Sequence, residues 1–160
     1  MERPFERVYT VMDFWDGPRS GFADFDGVPH AYRSLWRDDL DDWDQDGQFA
    51  LGPVSPDLLA IALEDWEIWR RWEEAYYADK VGLSTHPALP EDHARHIELA
   101  PIIERALEID PSRRRIAVGE FRSLNGRRGA PGAPSSRAIL EVRWLPVDDD
   151  DVRSASVRDD

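Results

Sequence analysis

Hydrophobic positions along the chain change their spacing twice. From Val8 to Trp36 apolar and β-branched residues fall in short runs broken by turn residues; from Leu58 to Ala106 they recur every three or four; from Ile116 to Leu145 the short runs return. The first region predicts an antiparallel meander. Val8–Trp15 is its first strand, Phe22–Phe25 its second, and Val28–Trp36 its third, with Asp26-Gly27 as a two-residue hairpin turn between the last two. Pro29 lacks an N–H and so belongs near an edge or a bulge. Gln48–Leu51 suits a short fourth strand. Ser55-Pro56-Asp57 then combines an N-cap, a first-turn proline and a first-turn acid, which starts a helix running to about Asp79. A second helix should begin near Pro90 with Leu99, Ile102, Ile103 and Ala106 as its core face, and Pro101 should kink or divide it. Ile116–Leu124 and Arg137–Leu145 are two further strands, joined by a Gly/Pro/Ser-rich segment.

This order predicts an α+β fold. The expected form is a mostly antiparallel sheet, an N-terminal β-meander plus a C-terminal hairpin, with the long Trp-rich helix and the Pro-interrupted helix packed on one face. Residues 1–146 should form one domain, and the Asp-rich stretch 147–160, with little to bury, a disordered tail.

The first helix carries most of the information. Its apolar groups, from Leu58 through Trp66, Trp69 and Trp72 to Tyr77, cover far more of the circumference than one sheet can bury. The helix is therefore central, or is covered by something besides the sheet. Asp65 interrupts that arc, about 20° from Leu58 and about 40° from Trp69 at ~100° per residue. A carboxylate there needs a partner, because burying it alone is costly. Arg19, Arg33 or an indole N–H are candidate partners in a structural tie; the other reading is a ligand pocket built from Asp65, Trp69 and Trp72 with Arg19 and His30 from the sheet.

Charge sharpens the picture. The 160 residues carry a net charge of −13, distributed as −15 over residues 1–110, +6 over 111–146 and −4 over 147–160. An acidic chain argues against nucleic acid and anionic membranes as partners, whereas the basic 111–146 segment offers a route to self-association. Arg127 and Arg128, inside the Gly-rich joint, could contact a phosphate or an acidic partner, although no P-loop pattern surrounds them. There is no cysteine, which excludes disulfides, thiolate metal sites and cysteine nucleophiles and fits a reducing cytoplasm.

The strings DGPRSGFADFDGVPH (16–30), LEDWEIWRRW (63–72) and THPALPED (85–92) resemble a group of small bacterial hypothetical proteins. The resemblance spans roughly residues 8–110 and implies no activity, ligand or catalytic residue.

Other constellations offer raw material for chemistry. Asp24 and His30 flank the hairpin turn and could form a cross-strand carboxylate–imidazole pair. His86, His93 and His96 lie within eleven residues, but a shared metal would need a third ligand that the spacing does not supply; no metal and no cofactor is expected. Asp42–Gly47 opens like a calcium loop, yet Pro53 stands where its closing glutamate belongs. No nucleophile elbow, dinucleotide fingerprint or kinase glycine pattern is present. These features favour a non-enzymatic, inhibitor-like or accessory protein that binds another protein through its acidic, Trp-rich surface. The alternatives are a small-molecule-binding domain or enzyme with a pocket at Asp65, and a metal-dependent hydrolase using the three histidines.

Overall fold

Local turn chemistry builds the first hairpins as the sequence implies. In a computed structural model, residues 2–12, 18–37, 42–43, 47–124 and 139–147 are described. β1 (Glu6–Val11), β2 (Ser20–Phe25) and β3 (Val28–Ser34) form the meander. Asp26 and Gly27 both take positive φ (53° and 75°), the mirror-image turn that suits strand twist. β1 and β2 lose register between Val8 and Thr10, and there the strands approach so closely that any Cβ at Gly21 would collide with the Thr10 carbonyl. β4 (Trp36–Arg37) and β5 (Asp42–Trp43) form a separate two-rung ladder. β6 (Gln48–Pro53) pairs with β3, and β7 (Arg115–Ser123) pairs with both β6 and β8 (Leu140–Pro146). The expected strand over residues 13–15, the calcium-like stretch 44–46, the Arg127/Arg128 segment and the tail beyond Val147 lie outside the described residues.

The open sheet expected from the element order does not occur. β8 turns back to β1, pairing Glu6 with Val142 and Arg7 with Glu141, and closes an antiparallel barrel in the order β1-β2-β3-β6-β7-β8. Neighbouring strands therefore follow one another along the chain, and the helices are an excursion between β6 and β7 rather than a layer on one face of a sheet. Closure removes both free sheet edges, which neither a run of turns nor an alternation pattern can reveal.

Two cores result. Inside the barrel, Tyr32, Phe49, Phe121 and Trp144 meet with ring centroids 5.6–6.0 Å apart. Leu51, Ala117 and Val142 complete the filling, so the interior is packed side chains and not a channel. Gly119 makes room: a Cβ there would lie 2.7 Å from the Trp144 ring. Trp144 also donates its Nε1–H to the Asp24 carbonyl at 2.9 Å, which satisfies its polar edge. Outside the barrel, Phe22, Ala31, Ala50 and Ile116 of the strands and Leu35 just after β3 pack with Ala62, Ile68, Leu99 and Ile103 of the helices.

α1 (Pro56–Tyr77) starts as its signals require, with Ser55 Oγ accepting from the Leu58 N–H at 3.1 Å. Its wide apolar arc is shared among the barrel, the loop 82–90 and α2 (His93–Leu107). A short 3₁₀ turn at Pro90–Asp92 leads into α2, which continues unbroken through Pro101. Pro101 sits on the exposed side, where water can take the carbonyl it leaves unpaired, while buried Leu99 and Ile103 hold the turns on either side in place. Ile102, expected in the core, is 44% exposed. Among the described residues, no helix is long and apolar enough to cross a membrane.

Candidate functional site

Helical spacing places Asp65 and Trp69 one turn apart on α1, and His96, Ala100 and Ile103 along one face of α2. Where these faces meet, His96 Nδ1 lies 2.7 Å from Asp65 Oδ1. The Asp65 side chain is 7% exposed and that of His96 22%. Asp65 is therefore tied, as its burial demands, but to an imidazole of α2 rather than to Arg19, Arg33 or an indole. With Asp65 accepting at Nδ1–H, the neutral ring carries its lone pair on Nε2.

Two exposed ion pairs bracket this bond along the helix interface. Arg71 forks onto Asp92 at 2.9 and 3.0 Å, and Arg95 holds Glu64 at 3.0 Å while also reaching Glu98 at 2.9 Å. Arg95 lowers the pKa of Glu64 through that hydrogen bond. Such exposed pairs add little stability each, but they fix how α2 lies against α1.

The pair opens on a pocket of about 290 Å³. Its walls are mostly apolar: Met12 from the end of β1, Trp69 from α1, Pro87 from the loop, and Ile103 and Leu107 from α2. The polar groups at its lining are Asp65, His96, Ser20 and Glu104. A smaller depression of about 180 Å³ lies beside Gly52, Arg105, Ile109 and Arg113.

The remaining candidates are dispersed. Trp72 is buried, stacks between Trp69 and Tyr76 (5.2 and 5.0 Å), and donates Nε1–H to Thr85 Oγ1 at 2.9 Å, so it braces Trp69 from behind. His86 packs edge-on against Trp72 at 4.7 Å and Trp69 at 5.4 Å. Burial, reinforced by the nearby His96, lowers its pKa. His93 is exposed at the start of α2. The three histidines thus take three separate roles, and no group of three metal-binding side chains occurs among the described residues.

Asp24 and His30 are not a pair. Asp24 sits opposite Pro29, and His30 opposite Ala23, so the one-residue offset sends the two side chains to opposite faces of the barrel wall. Asp24 accepts from the Tyr9 hydroxyl at 2.9 Å; burial, then this bond, raises the Tyr9 pKa. His30 contacts the Val28 carbonyl at 2.7 Å and the Phe25 ring at 5.4 Å. Arg19, expected in the pocket, is absent from its lining, although the adjacent Ser20 is part of it.

Sequence reasoning found Asp65 and Trp69 but weighed His96 only as a member of a metal-site alternative that it did not favour. The signal was present: His96 is three, four and seven residues from Leu99, Ala100 and Ile103, which puts it on the core face of α2. Glu104 and Leu107 share that face, one turn after Ala100 and Ile103, whereas Met12 and Ser20 had no such signal, because only the packing of the helices on the barrel brings them to the site. No protein-family model, curated protein or solved structure matches the chain at a significant level.

Proposed function

We propose that the protein is a small-molecule-binding domain whose site is the pocket between α1, α2 and the ends of β1 and β2. The observation that carries this reading is the position of the Asp65–His96 hydrogen bond: a buried carboxylate–imidazole pair at the wall of a largely apolar cavity. A continuous, closed aromatic face on α1 would have favoured a protein-binding surface instead. Pockets that bind small ligands combine apolar walls with a few convergent polar groups, and a volume of about 290 Å³ is at the small end of their range. An apolar cavity of roughly 150 Å³ already accepts a benzene ring. The site therefore suits a single ring, or an aliphatic group of similar size, bearing one polar substituent. The cysteine-free sequence fits a cytoplasmic location for this function.

Binding is preferred to hydrolysis because Ser20 lines the same pocket yet makes no hydrogen bond to His96. A fluorophosphonate that labelled Ser20 selectively would convert the reading to a serine hydrolase.

The test is a fragment screen by ligand-observed NMR, repeated on an Ala100→Trp protein in which an indole fills the cavity. Fragments should bind the wild-type protein and lose their signals with the variant. An absence of hits, or hits that persist when the cavity is filled, would remove this reading.

A further inference from the structure

We infer that the pocket selects a small organic cation, an amine carried on an apolar body. This rests on the reading of the pocket as a ligand site and adds the charge of what enters it.

Donors and acceptors are unequally represented along the cavity. Asp65 and Glu104 are carboxylates and only accept. His96 directs Nδ1 at Asp65, so its Nε2 accepts when the ring is neutral and donates when the ring is protonated. Ser20 can do either. Among the described residues no arginine or lysine lines the cavity, so this part of its lining holds no permanent positive charge. A carboxylate or phosphate entering the site would meet two carboxylates and no fixed cation. An ammonium group would meet two carboxylates and the Ser20 oxygen as acceptors, and it needs an anion once it leaves water for apolar walls. Trp69 is the wall residue best suited to a neighbouring cation, because the indole ring has the strongest cation–π attraction.

The wider field points the same way. Every described lining residue falls between positions 12 and 107, within the segment 1–110 that carries a net charge of −15. Such a field concentrates cations near the mouth and repels anions. Glu104 is exposed and so placed to meet an approaching ligand, whereas Asp65 is buried at the wall.

Benzylamine, benzyl alcohol and benzoate share one ring and differ only in the charge and donor capacity of the substituent. Titrating each at pH 7.5 by calorimetry or ligand-observed NMR should place benzylamine about tenfold or more tighter than benzyl alcohol, with benzoate the weakest. Glu104→Gln, a change at an exposed side chain, should weaken benzylamine severalfold and leave benzyl alcohol unchanged. Asp65→Asn should weaken benzylamine more strongly if the protein folds; if it does not, Glu104→Gln decides alone. Benzyl alcohol or benzoate binding as well as benzylamine, with Ala100→Trp abolishing the binding, would overturn the preference for a cation and leave the ligand site standing. If none of the three binds, both readings fall.

Discussion

Asp65 and His96 are the residues on which structure and chemistry converge. Their hydrogen bond is largely buried and joins the two helices, so each side chain stabilises the other. Removing one strands its partner beside apolar walls, at a cost of about 1–3 kcal/mol. Asp65→Ala and His96→Ala should each destabilise the fold by that amount in urea denaturation. The double variant should lose less than the two single losses together, by about 0.5–3 kcal/mol of coupling. Additive losses would mean that the bond contributes nothing. His86 supports a prediction in pH. Burial between Trp69 and Trp72, with His96 close by, lowers its pKa in the folded state, so protonation favours the unfolded chain. The contribution of neutral His86 is present above the unfolded value of about 6.5 and is lost as pH falls from there towards the folded pKa. Wild type should therefore lose more stability between pH 7.5 and 5.5 than His86→Gln does. An equal loss in the two proteins would show that His86 does not report on folding.

At the scale of elements, the barrel is held by aromatic fit rather than by turn chemistry alone. Gly119 is the void that accepts the Trp144 ring, and a methyl group placed 2.7 Å from it must push the ring or the strand aside. Gly119→Ala should cost about 1–3 kcal/mol, the usual penalty for overpacking a filled core. Trp144→Ala should cost about 3–5 kcal/mol through the cavity it leaves and the loss of its bond to the Asp24 carbonyl. Arg71→Ala, which removes an exposed ion pair between α1 and α2, should cost no more than about 1 kcal/mol. Thermal or urea denaturation of the three variants checks the order. If Arg71→Ala proved as damaging as Trp144→Ala, the helix pair and not the barrel interior would dominate stability.

For the whole molecule, charge and closure act together. The basic 111–146 segment offers a route to self-association, and several of its arginines also make internal contacts. Arg122 bonds Glu141 at 2.7 Å and lies 3.7 Å from the Phe5 ring, while Arg143 bonds Glu120 at 2.6 Å and Glu2 at 3.1 Å. These contacts fasten β7, β8 and the N-terminal segment across the closing seam of the barrel. Any association through the remaining arginines should weaken with salt, because exposed charges are screened beyond ~10 Å at 0.1 M. Sedimentation at low and high ionic strength measures it, and a mass that ignores salt would remove charge as the driver. Val147, the residue after β8, still joins the fold: its N–H bonds the Ile116 carbonyl at 3.0 Å, and its side chain packs on the outer core. Truncation after Val147 should leave the melting temperature almost unchanged, since the removed segment is dominated by aspartates with little to bury. Removing Val147 as well should lower it.

The sequence by itself determined the elements whose causes are local. Ser55, Pro56 and Asp57 started α1, Asp26-Gly27 turned the hairpin, and helical spacing placed Asp65 on the apolar face of α1 beside Trp69. Those outcomes depend on groups within a few residues of one another, where propensity and capping act. Tertiary structure alone decided closure, partner and cavity. The β8–β1 pairing joins residues more than a hundred positions apart, and any exposed strand edge could have accepted it on backbone hydrogen bonding alone. The packing of α1 and α2 against the outside of the barrel set Met12 and Ser20 beside Asp65 and so made a pocket of what was only a buried carboxylate in the sequence. His96 could be assigned to the core face of α2 from spacing, but not to Asp65, because the rotation and offset of one helix on another depend on how their side chains interlock.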